Sequence, residues 1–346
     1  MDKLLPTTLV GSYPQPGWLV NRGTLLEKLP PRIRLREVWR IDEGELEAAQ
    51  DAATLMAVQD QVDAGIDIVT DGEIRRESYF NRFATALEGV DVDLPGQVYG
   101  RDGTLQFVPR VTGPIHRPKP VQARDVEFLR RATTKPIKMT VPGPFTMMRM
   151  AKDEYYNDKR ALVLAYARAV NEELRDLKAA GADVLQIDDP FLPAFPDEAE
   201  LFGVEGINAS LAGIAGPTVV HLCFGYGYWI KKDKPAGYSY LPQLNDCIAT
   251  AISIEAAQPR LDPAILERLP DKTVLYGVID LKDQAIEAPE QVADRLRAAL
   301  RHIAPERLVV APDCGMKYLS RDVALGKMKA MVAGAAIVRA ELGGAG

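Results

Sequence analysis

His221 and Cys223 stand two apart in the run Val-Val-His-Leu-Cys. Side chains two apart on a strand share a face, so one imidazole and one thiol can reach the same ion. Glu255 ends a second short run and Cys314 a third. An imidazole with two thiolates is a ligand set that selects Zn²⁺ over Mg²⁺ or Ca²⁺, and the Glu255 carboxylate can complete a tetrahedron that a substrate later displaces. A free thiol has a pKa of about 8.5 and is mostly protonated at neutral pH. Coordination removes that proton and leaves a sulfur nucleophile. The chemistry to expect is alkyl transfer to sulfur.

The elements that must position these groups alternate along the chain. Short β-branched runs at 7–12, 66–70, 137–141, 184–188, 218–223, 251–255, 273–280 and 308–314 read as strands buried on both faces. Helical patterns at 45–64, 159–180, 289–303 and 320–342 lie between them, and Gly65 and Gly181 stand where the first two should stop. Eight strands alternating with helices make a (β/α)₈ TIM barrel, an α/β fold whose strand C-termini form the active face. Polar residues crowd those ends: Ser12, Glu73, Asp188, His221, Glu255, Asp280 and Cys314. No GxGxxG follows the first strand, which removes the main reason to prefer a dinucleotide fold. Residues 21–44 read as an N-terminal arm wrapping the barrel and 90–122 as an inserted hairpin, both within one catalytic domain over 1–346. Cys247 falls in a stretch, 241–249, expected to be helical, and is assigned to core packing.

Composition excludes several classes. The 346 residues carry 42 Lys plus Arg against 48 Asp plus Glu, a net charge of −6, so neither nucleic acid nor an anionic membrane is an expected partner. No apolar stretch reaches the eighteen residues a membrane span needs, and the N-terminus lacks the apolar core of a signal peptide. Three cysteines make no disulfide framework, which points to the reducing cytoplasm.

Eight ordered motifs carry a resemblance over nearly the whole chain: LVGSYPQP (9–16), DAGIDIVTDGE (63–73), PGPFTM (142–147), AGADVLQIDDP (180–190), VVHLCFGYG (219–227), ISIEAAQ (252–258), YGVIDLKD (276–283) and VAPDCGMKYLSRDVALGKM (310–328). The chain resembles the C-terminal catalytic half of cobalamin-independent methionine synthase, particularly the short single-barrel forms. The resemblance implies a barrel of the uroporphyrinogen decarboxylase-like superfamily. It implies catalytic zinc on His221, Cys223, Glu255 and Cys314, and homocysteine as the methyl acceptor. It further implies that Gly11 and Ser12 meet the homocysteine carboxylate and that Glu73 and Asp188 grip its ammonium group.

Two positions depart from the long enzymes. Arg149 and its neighbours stand where a pterin-stacking tryptophan is found, and Lys282, after Asp280, stands where a proton-donating histidine is found. The half that helps bind polyglutamylated folate is also absent. These departures lead to the expectation that a methylated corrinoid or corrinoid protein replaces methyltetrahydrofolate as donor, with Asp280 and Lys282 as catalytic candidates. An epoxyalkane:coenzyme M transferase-like reaction is the second reading, disfavoured because coenzyme M carries a sulfonate where Glu73 and Asp188 stand. A non-catalytic zinc-stabilised scaffold is the third, and it would more ordinarily use local ligand pairs.

Overall fold

The alternating runs become, in a computed structural model, a parallel sheet that closes on itself. The structure describes residues 3–27, 30–101, 103–225 and 234–343. Positions 28–29 of the arm, 102 of the insertion and 226–227 at the end of VVHLCFGYG lie outside the described residues. In chain order the elements are α1 (Arg22–Glu27), α2 (Glu43–Ala64), β1 (Val69–Thr70), α3 (Asn81–Ala84), β2 (Glu88–Tyr99), β3 (Leu105–His116), α4 (Ala123–Ala132) and β4 (Ile137–Pro142). Then follow α5 (Pro144–Arg149), β5 (Lys152–Asp153), α6 (Lys159–Ala179), β6 (Val184–Asp188), α7 (Pro196–Leu211), β7 (Thr218–Leu222), β8 (Ala251–Ile254), β9 (Thr273–Gly277), α8 (Pro289–Ala299), β10 (Leu308–Ala311) and α9 (Arg321–Gly343).

Seven strands pair in the parallel order β1-β4-β6-β7-β8-β9-β10. The extended segment at Thr7 and Thr8 closes the ring, with Thr7 bridging Val310 of β10 and Thr8 bridging Ile68 beside β1. The expected (β/α)₈ barrel is therefore present, its first stave only two bridges long. Long helices form where glycine can end them: Gly65, at φ +84°, donates its N–H back to Gln61 and Val62 and stops α2. At the start of α6 the Asp158 carboxylate accepts the Ala161 N–H.

Side chains alternate along each stave, and the inward ones change character with height. Ile68, Val184, Val219, Ala251, Leu275, Val309 and Ala311 form an apolar cluster separate from the main core. Two residues further along, the same faces carry Gln186, His221 and Ser253, and two further still Asp188, Cys223 and Glu255. An apolar floor thus leads to a polar mouth at the C-terminal ends.

The insertion is the antiparallel pair β2–β3, with β5 added parallel to β3. The arm lies against the mouth-side loops: Arg34 pairs with Glu77, Arg32 donates to the Tyr79 hydroxyl, and Arg22 donates to the Leu319 carbonyl. The helix expected over 241–249 is instead a short 3₁₀ turn, Pro242–Asp246, with Cys247 extended beyond it. Asn245 explains the change, because its side chain donates to the Pro242 and Arg268 carbonyls and so competes with helical pairing. Cys247 is buried, as its packing role requires. Among the described residues no helix is long and apolar enough to cross a membrane.

Candidate active site

On one side of the mouth, β7 delivers His221 and Cys223, and the loop after β10 delivers Cys314. One ligand atom from each lies within 4.8 Å of the others, and all three residues are buried. Ser253, the register partner of His221 on β8, holds the imidazole through Nδ1 at 2.8 Å. The other ring nitrogen, Nε2, is buried and makes no hydrogen bond. Cys314 donates to Cys223, which holds the Cys223 thiol well below its usual range and pushes Cys314 up. A buried ring nitrogen within reach of two thiols meets the donor requirements of zinc, with three protein ligands as catalytic sites use.

Cys314 owes its place to the residue before it. The buried Asp313 carboxylate accepts the Ala256 and Ala257 N–H groups on one oxygen and the Gln258 N–H on the other, pinning this loop to the end of β8. Gly277 makes room, since a Cβ there would fall 2.1 Å from an Asp313 oxygen.

Glu255 stands outside the group of three. Its Oε2 accepts from Lys234 Nζ at 2.5 Å and its Oε1 from the Phe224 N–H at 3.2 Å. Burial raises the Glu255 carboxyl well above its usual range, with the Lys234 charge acting in the opposite direction. Lys234 carries no motif, and in the chain it lies 21 residues from its partner.

Across the mouth stand the oxygen-bearing groups. The Ser12 hydroxyl is buried without a hydrogen bond. Glu73 follows Gly72 in the left-handed region, at φ +52°, an uncommon conformation for a residue with a side chain. The Asp71 carboxylate stabilises this turn by accepting the Glu73 N–H. Glu73 Oε1 accepts from the Thr140 hydroxyl at 3.0 Å, while Oε2 is buried and unpartnered. A Cβ on Gly11 would meet Glu73 Oε1 at 2.5 Å, so this glycine is what admits the carboxylate.

Asp188, the register neighbour of His221, accepts from Gln186 Nε2 at 2.7 Å. Burial pushes its carboxyl up to about 7, and the Glu73 charge adds to the shift against the pull of His221. Gln186 in turn accepts from Lys138 Nζ at 2.7 Å, and burial brings that ammonium down to about 7. Asp189 faces elsewhere and caps α5, accepting the Phe145 and Thr146 N–H groups. Sequence reasoning missed Ser253, Thr140, Gln186 and Lys234. Thr140 and Gln186 were findable as polar inward residues one step below the mouth, and Ser253 only once β8 is aligned with β7.

Asp280 and Lys282 are placed differently. Asp280 is half-buried beside a side cavity of about 430 Å³, and its carboxylate accepts the Lys282 N–H at 2.8 Å. The Lys282 side chain is exposed. Arg149 is tied to Glu198 at 3.0 Å and lies over the Phe195 ring, 3.7 Å from its centroid.

The fold is a (β/α)₈ barrel, and its mouth gathers a buried cluster of sulfur and nitrogen donors. The sequence pattern of the family described as "Cobalamin-independent synthase, Catalytic domain" matches residues 5–337. A methionine synthase of Sulfurisphaera tokodaii is 34% identical over 346 residues, covering 99% of this chain and 95% of that one. One of Sulfolobus acidocaldarius is 34% identical over 341 residues, covering 98% and 94%. Among solved structures, a B12-independent methionine synthase from Shewanella sp. W3-18-1 in complex with selenomethionine superposes with a TM-score of 0.89 at 37% identity, covering 98% of this chain and 99% of that one. A putative vitamin-B12 independent methionine synthase from Listeria monocytogenes shares the fold, with a TM-score of 0.73 at 19% identity, covering 97% and 99%. The chain belongs to the cobalamin-independent methionine synthase catalytic-domain family and is a methyltransferase.

Membership corrects one expectation. The family is named for its independence of cobalamin, which speaks against the corrinoid donor inferred from Arg149 and Lys282. Arg149 is paired with Glu198 and the Lys282 side chain lies in solvent, so the residues at these two positions do not by themselves require a corrinoid donor. A family of enzymes also displaces the non-catalytic scaffold.

Proposed function

We propose that this barrel transfers a methyl group from the N5 of a reduced folate to the thiol of homocysteine, giving methionine. The observation that carries the reading is the division of the mouth into two sets of open, buried atoms: His221 Nε2 beside two thiols, and Ser12 Oγ with Glu73 Oε2 opposite. An amino-acid thiol has matching ends. Its sulfur suits the first set and its ammonium group suits Glu73 and Asp188, while Gly11 and Ser12 lie where the carboxylate would follow. The selenomethionine held by the Shewanella relative is a molecule of the same shape.

His221, Cys223 and Cys314 would hold the zinc, and the Glu255 carboxylate, carried at the end of β8 beyond Ser253, would serve as a displaceable fourth ligand. When bound, zinc lowers the pKa of the substrate thiol and so supplies a thiolate at neutral pH. The chain's own groups do the rest. Ser253 fixes the imidazole in one orientation through Nδ1. Glu73 and Asp188 orient the amino acid so that its sulfur faces the methyl carbon in line, which converts binding into rate. The sulfur–carbon bond forms as the N5–carbon bond breaks, and N5 takes up a proton while the thiol loses one.

Zinc-loaded protein given homocysteine should form methionine from methyltetrahydrofolate and none above background from methylcobalamin. Failure with the folate under conditions where homocysteine binds would overturn the donor. Failure of homocysteine to bind would overturn the reading altogether.

A further inference from the structure

Glu255 has a fixed backbone and a buried carboxylate held by an ammonium. Its N–H donates to the Tyr238 hydroxyl at 2.9 Å, and that hydroxyl donates to the Leu222 carbonyl at 3.0 Å, so the pivot is tied to the end of β7. Ser253 lies two residues earlier on the same face and touches His221, which puts Glu255 one step above the imidazole. From that pivot the carboxylate now reaches Lys234, whose side chain is 1% exposed. A buried ion pair contributes little net stability, and the Lys234 ammonium, held on a carboxylate one step above the His221 imidazole, would oppose a cation bound beside it. Packing alone does not account for a lysine in this place.

We infer that Lys234 is a positioning residue that takes Glu255 from the His221–Cys223–Cys314 set when a substrate sulfur arrives. The carboxylate is thereby exchanged between two cationic partners, the metal and the ammonium. It leaves the fourth place without becoming a buried, unpaired charge. The inference rests on the homocysteine reading above and adds the residue that makes displacement inexpensive.

The test uses wild type, K234M, E255Q and K234M/E255Q, with two readouts that need no methyl donor. One is zinc affinity by competition with a chromogenic chelator, and the other is the homocysteine Kd of the zinc-loaded protein by calorimetry. With Glu255 present, K234M should tighten zinc about tenfold and weaken homocysteine about tenfold, as expected when one member of a buried pair is removed. In the E255Q background the same change should alter either constant by no more than about twofold. Equal shifts in both backgrounds would mean a plain charge effect and overturn the inference, as would no shift in either. If K234M does not fold, K234Q keeps a polar end facing Glu255 and the same two comparisons decide. Wild type that binds homocysteine alongside an unaltered K234M defeats this inference only, whereas wild type that binds none defeats the functional reading as well.

Discussion

The end of β7 and the turn after β9 both carry ionisable residues at the C-terminal side of the barrel, and they treat their polar atoms in opposite ways. At the end of β7, His221 Nε2 is buried and unpaired beside two buried thiols. After β9, the Asp280 carboxylate is spent on the Lys282 N–H and the Lys282 side chain lies in solvent. An unpaired buried polar atom costs about 1–3 kcal/mol, so a fold that keeps several in one mouth is less stable than it could be unless a ligand completes them. The turn has no such deficit. Residue type alone made the two regions look equally chemical, and hydrogen-bond bookkeeping separates them.

The largest break in this comparison should come from Cys314→Ser. It removes one of two sulfurs from the open set, and kcat/KM should fall by at least about a thousandfold, equivalent to about 4 kcal/mol of transition-state stabilisation. Zinc content after gel filtration should fall with it. The far-ultraviolet circular dichroism should stay that of wild type, because the cluster sits above the apolar floor and not within it. Unfolding on chelation of the wild-type metal would show instead that the cluster is a structural staple.

Asp188→Asn tests the opposite wall. If the carboxylate grips an ammonium group, the homocysteine Kd should rise about 10- to 100-fold, the range for a charged hydrogen bond, with zinc affinity within about threefold of wild type. Calorimetry against each ligand in turn separates the two. Equal losses would place Asp188 with the metal, as its register pairing with His221 also allows.

How much of this was readable beforehand follows from where each signal lives. His221 and Cys223 are a local pattern, and the two-residue period of a strand suffices to put them on one face. Gly65 and the apolar runs fix helices and staves in the same local way. Ser253 is different. Nothing marks one serine among many until β7 and β8 are aligned, and only then does it stand opposite His221. Lys234 is harder still, because its partner is reached through a loop with no period of its own. The left-handed Glu73 was hidden because sequence suggests φ > 0 at Gly72, and it takes the folded turn to show that the next residue shares it. Lys282 was matched to a histidine in other chains, and what only the folded turn shows is that its backbone N–H meets the Asp280 carboxylate while its side chain lies in solvent.

Lys138 offers a subtler probe of the acidic wall. Burial lowers its ammonium to about 7 from an ordinary 10.5. Between those values the unfolded chain holds a proton that the folded chain has released, so stability rises with pH through the window, by up to about 1.4 kcal/mol per pH unit for one proton. Below about 7 both states are protonated and the dependence disappears. Urea midpoints at pH 7 and pH 9 should therefore increase for wild type. In Lys138→Met the increase should shrink, leaving the share of Lys317, which burial holds at about 8. An unchanged slope would mean that Lys138 keeps its charge through Leu9 and Gln186, its two hydrogen-bond partners.

The smallest effect belongs to the satisfied region, and its smallness is the point. Lys282 is exposed, and the contact that organises its turn runs through its backbone N–H, which every substitution except proline retains. Lys282→Ala should leave kcat and KM within about twofold of wild type, in line with surface changes that stay within about 0.5 kcal/mol. The pH profile of kcat should also be superimposable on that of wild type. A tenfold loss of kcat at unchanged KM would bring the side chain back to the reacting atoms. It would mean that the turn closes over the mouth when substrate binds, and that satisfied hydrogen bonds in the free protein are no guide to which ionisable groups take part in the reaction.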